Sequence, residues 1–205
     1  MVGVIDYGAG NIRSMVNSIV RVGMSSGVKV MVSSDVDVLS YCNKIILPGV
    51  GAFGDVMRSL KEKRLDVFIK EWIKKGNKFM GVCVGLQVLF KVGYENGTYE
   101  GLGVFDGEVV KFSKAEPIPH IGWNQIKVVN ESIFLSKADE GKYFYFVHSY
   151  YAKPKNQEII NTITEYNGEE FVSSVYWENV FAVQFHPEKS HINGENVIRK
   201  FLVDF

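Results

Sequence analysis

The chain has 205 residues, 46% of them hydrophobic and 22% charged, a globular composition for one domain with a core of its own. Lys+Arg and Asp+Glu both number 23, and this zero balance argues against a nucleic-acid gripper, which carries a basic excess. No apolar run reaches the roughly 18 residues of a membrane span, and Met1-Val2-Gly3-Val4-Ile5-Asp6 lacks the basic start and apolar stretch of a signal peptide. Only Cys42 and Cys83 are present, too few for a disulfide framework, so a reducing cytoplasmic compartment is expected.

In chain order, Val2 to Ile5 reads as a strand closing on Asp6-Tyr7-Gly8-Ala9-Gly10. Asn11 is placed to cap a helix whose apolar stripe is Ile12, Met15, Val16, Ile19 and Val20. A strand over Val28 to Val32 follows, then a short helix capped by Asp35 and reaching Tyr41. Lys44 to Leu47 is a third strand, stopped by Pro48-Gly49-Val50-Gly51. One long helix is predicted from Asp55 to Lys75, with Leu65, Phe68, Ile69, Trp72 and Ile73 as its buried stripe and Gly76 as its stop. Lys78 to Val82 is a fourth strand, followed by a helix over Val84 to Val92.

This alternation predicts a parallel sheet with helices on both faces. The second half reads as strands: Val104–Phe112, Asn124–Val129, Tyr143–Ala152, Ile159–Tyr166, Phe171–Trp177 and Phe181–Gln184. Asn167-Gly168 marks a hairpin. A last helix over Glu195 to Val203 turns Val197, Ile198, Phe201 and Leu202 inward. The expected fold is therefore α/β, a single domain over 1–205 with a mostly parallel sheet and an added antiparallel part.

Gly81-Val82-Cys83-Val84-Gly85 lies where a strand turns into a helix and matches the thiol form of the nucleophile elbow. The turn presses two backbones together, so side chains two residues before and after the nucleophile would collide. A helix N-terminus directed at the sulfur favours the thiolate. Cys42 lacks such flanks and reads as structural. A thiol nucleophile needs a base, and the base needs an orienting group. Of His120, His148, His186 and His191, the informative one is His186, in His186-Pro187-Glu188 after an apolar strand. Pro187 favours an extended backbone at His186, which puts Glu188 on the same side. His148 and His191 read as structural or substrate-lining. The Cys and His spacing fits no zinc site, so no metal is expected. Gly49, Val50 and Gly51 form a loop expected beside the elbow, where with the Val84 N–H they would supply donors to a tetrahedral oxyanion.

Six blocks together resemble the class I, or triad, glutamine amidotransferases: Asp6 to Asn11, Pro48 to Phe53, Gly81 to Gln87, Pro119 to Asn124, Phe146 to Tyr150 and Phe185 to Ser190. That fold is flavodoxin-like. The resemblance implies that Cys83 attacks the side-chain amide of glutamine, His186 moves the proton and Glu188 orients His186. It implies that Gln87, Glu95, Ser149 and Tyr150 hold the substrate and that no cofactor is needed. Within the family the blocks are similar to members that pass ammonia through an internal channel to a separate (β/α)8 cyclase subunit of the HisF type. Trp123, Tyr145 and Lys189 match positions at that contact. Val84 stands where the family usually has Leu, an acidic run is missing at Val92-Gly93-Tyr94, and His191-Ile192-Asn193-Gly194 is unusual. These departures leave open a paralogue feeding another acceptor, such as a sugar amidotransferase of surface polysaccharide synthesis. A docking subunit with a dead site and an unrelated cysteine hydrolase are the remaining alternatives.

Overall fold

A computed structural model describes residues 1–9 and 11–205, with Ser25 described by its backbone alone. Gly10, the last residue of the segment Asp6-Tyr7-Gly8-Ala9-Gly10, lies outside the described residues. In chain order the elements are β1 (Val2–Ile5), α1 (Ile12–Gly23), β2 (Val30–Ser33), α2 (Val36–Ser40), β3 (Lys44–Leu47), α3 (Phe53–Glu62), α4 (Leu65–Lys74), β4 (Lys78–Val82) and α5 (Val84–Gln87). The second half adds β5 (Phe90–Gly93), β6 (Tyr99–Glu100), β7 (Phe105–Lys111), β8 (His120–Gln125), β9 (Lys127–Val128), β10 (Tyr143–His148), β11 (Tyr150–Pro154), β12 (Ile160–Tyr166), β13 (Glu169–Trp177), β14 (Val180–Val183) and α6 (His191–Arg199).

The main sheet has eight strands in the order β2-β1-β3-β4-β14-β13-β12-β9. The five from β2 to β14 run parallel, and β13, β12 and β9 extend the sheet antiparallel. Strands β1, β3, β4 and β14 are apolar almost throughout, as strands covered on both faces must be. Two clusters of buried side chains result, one on each face of the sheet, the first around Phe53, Leu60 and Phe79 and the second around Met15, Phe181 and Phe201. Two smaller sheets stand apart from it, β8 with β10 and β11-β7-β5-β6. The mixed α/β architecture predicted from the sequence is the one found.

Several local expectations are corrected. The helix predicted over 55–75 is two helices, broken at Arg64, whose φ is 58°. Leu60 and Leu65 are both fully buried, yet five residues along one continuous helix would set them about 140° apart. The left-handed residue brings both to the core. The helix predicted over 84–92 ends at Gln87. Beyond it the carbonyls of Val88, Leu89 and Lys91 accept N–H groups from Leu102, Phe105 and Gly101, so the chain passes into β5. The strand predicted over 143–152 breaks at Ser149, since β10 pairs with β8 and β11 with β7. Asn11 occupies the cap position of α1 without a capping bond to backbone, its side chain taking the Ser14 hydroxyl instead. Val20 is exposed, so the inward stripe of α1 is narrower than the sequence suggested. The Asp35 cap, the Gly76 stop and the two-residue turn at Asn167-Gly168 are present.

Candidate active site

Strands β3, β4 and β14 end side by side, and their carboxyl ends deliver three segments to one place. From β4 the chain turns through Cys83, at φ 56° and ψ −111°, into α5. A side chain is rarely held at such angles, which marks the turn as strained. Its flanks leave no room for Cβ atoms. A Cβ on Gly81 would lie 2.5 Å from the Gly85 carbonyl oxygen, and one on Gly85 would lie 2.2 Å from that of Leu47. Both obstacles are backbone and cannot step aside.

From β14 comes His186. Its Nδ1 is 2.9 Å from Glu188 Oε1, and both side chains are nearly inaccessible to solvent. Cys83 acts on the same imidazole through its charge. Burial pushes the imidazolium toward losing its proton, but the charges of Cys83 and Glu188 outweigh burial and raise its pKa to about 10. At neutral pH His186 therefore carries a proton beside the sulfur.

From β3 comes the loop Gly49-Val50-Gly51. A Cβ on Gly49 would stand 2.3 Å from Val84 Cγ1 and 2.7 Å from the Tyr7 hydroxyl, so the loop lies against the elbow because Gly49 has no side chain. Tyr7 Oη reaches the Val50 carbonyl at 3.3 Å. Val84 opens α5, so its N–H has no acceptor within the helix. With only four residues, α5 offers one turn of such donors, not the longer dipole the sequence suggested.

These segments line a cleft of about 360 Å³ with Val50, Gly51, Cys83, Val84, Gln87, Glu95, His148, Ser149 and Tyr150 on its walls. Every residue assigned to oxyanion or substrate from the sequence is on that wall except Gly49, which packs behind it. Glu95 Oε2 accepts the Phe53 N–H at 2.8 Å, at the start of α3, and this bond holds the carboxylate in the cleft. Burial first and the Glu95 charge second raise the pKa of the neighbouring Tyr150.

Gln87 is more constrained than sequence reasoning suggested. Its Nε2 donates to the Tyr150 carbonyl at 2.8 Å and to Gln184 Oε1 at 3.0 Å, which uses both of its N–H donors. Only its carbonyl oxygen remains, so Gln87 can accept from an α-ammonium but cannot also donate to an α-carboxylate. Gln184 is the residue the sequence reading missed. It is fully buried at the end of β14, and its Nε2 reaches the Cys83 sulfur at 3.6 Å. The available signal was a glutamine inside the apolar run Val180 to Phe185.

Trp123, Tyr145 and Lys189 are grouped outside the cleft. The Trp123 and Tyr145 rings meet edge to face at 5.9 Å, and Lys189 Nζ lies 5.7 Å from the Tyr145 centroid. His191 stacks flat on Trp123 at 5.1 Å. Ile121, Tyr143 and Ile192 are also exposed on or beside this ribbon, giving an apolar surface that includes the Lys189 ammonium. Among the described residues no cluster of metal-ligating side chains is present, and no helix is long and apolar enough to cross a membrane.

The family model for class I glutamine amidotransferases matches residues 3–205. The chain belongs to that family. Among curated relatives, the imidazole glycerol phosphate synthase subunit HisH of Aquifex aeolicus is 46% identical over 97% of this chain and 94% of its own. The HisH subunit of Pyrococcus furiosus is 42% identical over 98% and 97%, and that of Rhodopirellula baltica 41% over 98% and 96%. Among solved structures, a glutamine amidotransferase crystal structure superposes with a TM-score of 0.74 at 17% identity, covering 98% of this chain and 96% of the other. A structure of PurLQS from Thermotoga maritima has a TM-score of 0.74 at 18% identity, covering 99% and 97%. These two share the fold. The chain is thus an enzyme of the glutamine amidotransferase class, and the dead-site and unrelated-hydrolase alternatives fall away.

Proposed function

We propose that this chain is the glutaminase subunit of imidazole glycerol phosphate synthase, in histidine biosynthesis. The single observation that carries the chemistry is Cys83 at the wall of a cleft that also holds Gln87 and Glu95, with the buried His186–Glu188 pair acting on it from behind that wall. The relatives' names carry the pathway.

Glutamine enters with its α-ammonium against Glu95 and the Gln87 carbonyl oxygen. Its side-chain amide then lies over Cys83. The sulfur, with its proton held by His186, bonds to the amide carbon, and the carbonyl electron pair moves to oxygen. The N–H of Val84 and of the Gly49–Gly51 loop are the donors for that oxyanion. His186 gives its proton to the departing nitrogen, which leaves as ammonia. Glu188 keeps the imidazole in the right tautomer throughout. A water then gives a proton to His186 and bonds to the thioester carbon, and glutamate leaves as the sulfur is regained.

Free ammonia at neutral pH is protonated and no longer a nucleophile, so it is used beside where it forms. The apolar face around Trp123, Tyr145 and Lys189 is assigned to a HisF-type (β/α)8 cyclase subunit. That partner would use the ammonia to convert the phosphoribulosyl imidazole intermediate PRFAR to imidazole glycerol phosphate and AICAR. The whole chain, 1–205, acts as one domain of a heterodimer, in the cytoplasm, where Cys42 and Cys83 stay reduced. The alternative, a paralogue feeding another acceptor such as a sugar amidotransferase, is not favoured, since these relatives are named as imidazole glycerol phosphate synthase subunits.

The deciding experiment measures glutamate release with and without a purified HisF-type barrel and its ligand. Release rises in their presence and vanishes in Cys83→Ala, which still binds the barrel. Turnover that survives Cys83→Ala would remove the nucleophile assignment. A barrel that neither binds nor stimulates would remove the pathway assignment while leaving the glutaminase.

A further inference from the structure

The ribbon β8–β10 has two unlike faces. Outward it carries Ile121, Trp123, Tyr143 and Tyr145, the surface assigned above to the partner. Inward it carries His120 and His148, which are cross-strand partners and both buried. Neither histidine has a part in the chemistry above, yet they form a continuous hydrogen-bonded chain to the substrate cleft. Asn124 Nδ2 is 3.3 Å from His120 Nε2, His120 Nδ1 is 3.2 Å from His148 Nε2, and His148 Nδ1 is 2.9 Å from the Tyr150 carbonyl oxygen.

Both ends of the chain fix its protons in the same sense. At one end the Tyr150 oxygen only accepts, so His148 carries its proton on Nδ1 and offers Nε2 as an acceptor. At the other end the Asn124 oxygen accepts the Gln125 N–H at 2.8 Å, and its amide nitrogen donates to the Glu165 carbonyl at 2.8 Å and to His120. His120 Nε2 is then an acceptor, and its proton also sits on Nδ1. The two assignments meet without conflict at the bond between the rings. A second proton on either ring would set N–H against N–H. Burial is the leading cause that lowers both pKa values, to about 4 for His120 and about 3 for His148. Stacking of His120 on Tyr166, at 4.1 Å, and on Phe146, at 5.0 Å, leaves little room for another arrangement.

The chain ends on a shared atom. The Tyr150 carbonyl that takes His148 also takes Gln87 Nε2. Moving that oxygen moves the Gln87 amide and, with it, the acceptor offered to the substrate's α-ammonium. We propose that His120 and His148 are positioning residues that fix the Tyr150 carbonyl and so set the Gln87 side of the glutamine site. The Cys83 sulfur meets the chain only through Gln184, and His186 and Glu188 lie outside it, so its loss falls first on substrate capture and far less on the attack itself. This inference rests on the glutaminase reading for the substrate it names, while the proton arrangement of the two rings stands on geometry alone.

His120→Phe keeps an aromatic ring in the stack and removes the relay. His120→Asn returns an amide N–H close to where Nδ1–H stood. With the barrel and its ligand present, His120→Phe raises KM for glutamine about tenfold, the factor equivalent to one lost buried hydrogen bond, with kcat held within about twofold. His120→Asn restores KM. A KM unchanged in His120→Phe, a fall in kcat at constant KM, or a rise that Asn leaves uncorrected would each overturn the positioning role. Imidazole nitrogen NMR on the unmodified chain gives a readout that needs no variant to fold and no turnover. Both rings are expected neutral and protonated on Nδ1 at pH 7, and an Nε2 proton on either would overturn the chain. Should the wild-type complex release no glutamate at all, the glutaminase reading fails by itself, and the NMR result still decides the relay.

Discussion

The main-chain N–H of His186 donates to the Tyr145 carbonyl at 2.8 Å. The base of the site is thus bonded to the strand that carries the exposed aromatic face. Ser190 doubles the link, since its hydroxyl accepts the Tyr145 N–H at 2.9 Å and donates to the His186 carbonyl at 2.6 Å. Any movement of β10 reaches the imidazole through three hydrogen bonds.

Ser190→Ala removes the two side-chain bonds and leaves the half-buried Tyr145 N–H unpaired, while the His186 carbonyl keeps only the Lys189 N–H. A loss of about 1–3 kcal/mol in stability is expected, read by urea denaturation. Glutaminase kcat should fall while KM for glutamine stays near its wild-type value, because the cleft wall at Gln87 and Tyr150 is untouched. A variant with normal kcat would show that the turn at His186 holds its place without β10.

Glu188→Gln tests what holds the proton on His186. The imidazole gains from two neighbours, Cys83 and Glu188, against the opposing effect of burial. Removing the carboxylate charge lowers its pKa from the value of about 10. His186 is raised above its ordinary 6.5, so its contribution to stability is complete below pH 6.5 and is lost as pH rises through 10. In the variant that loss is smaller and is complete at lower pH, and the alkaline limb of the kcat profile moves the same way. Turnover should fall roughly 10²-fold. An unchanged alkaline limb would assign the raised pKa to the sulfur alone.

What the sequence revealed, and what it hid, follows from how local each feature is. The elbow needs only Gly81, Cys83 and Gly85 in one turn, and the steric reason for Gly81 is visible in five residues, although the obstacle at Gly85 is the Leu47 carbonyl of the neighbouring strand. His186 and Glu188 are two apart, so their pairing was legible too. The pairing of His186 with Cys83 joins positions about a hundred residues apart and came from chemistry and resemblance, not spacing. Gln184 escaped because a buried amide between Val183 and Phe185 has no periodic signature. The early end of α5 was hidden because the groups that take the carbonyls after it, from Leu102 to Phe105, lie far along the chain. The spent donors of Gln87 likewise depend on Tyr150 and Gln184, which only folding brings near.

Gly49 packs against Val84 where the family usually carries Leu, and the contact is already too close for a Cβ at 2.3 Å. Gly49→Ala should cost about 1–3 kcal/mol through overpacking and abolish most glutaminase activity by displacing the oxyanion loop. Val84→Ala removes the clashing methyl. The pair Gly49→Ala with Val84→Ala is expected to recover part of both losses, a coupling that a double-mutant cycle measures. Strict additivity of the two single effects would mean that Gly49 is needed for the Tyr7 hydroxyl or for backbone freedom, not for the approach to Val84.

Trp123 is half exposed and packs its ring against Tyr145 and His191. In the isolated chain its truncation should change stability by no more than about 0.5 kcal/mol, as for surface positions generally. In the complex it stands at the centre of an apolar patch, where large aromatic anchors concentrate binding energy. Trp123→Ala is therefore expected to weaken binding to a HisF-type barrel by about 2 kcal/mol or more, roughly thirtyfold in Kd, with glutamine hydrolysis by the unpartnered chain unaltered. Stimulation at saturating barrel should also fall, because Tyr145 lies between Trp123 and the His186 backbone. Calorimetric titration gives the affinity, and glutamate release at saturation gives the stimulation. Normal affinity in the variant would place the barrel on another surface, and with it the exit for ammonia.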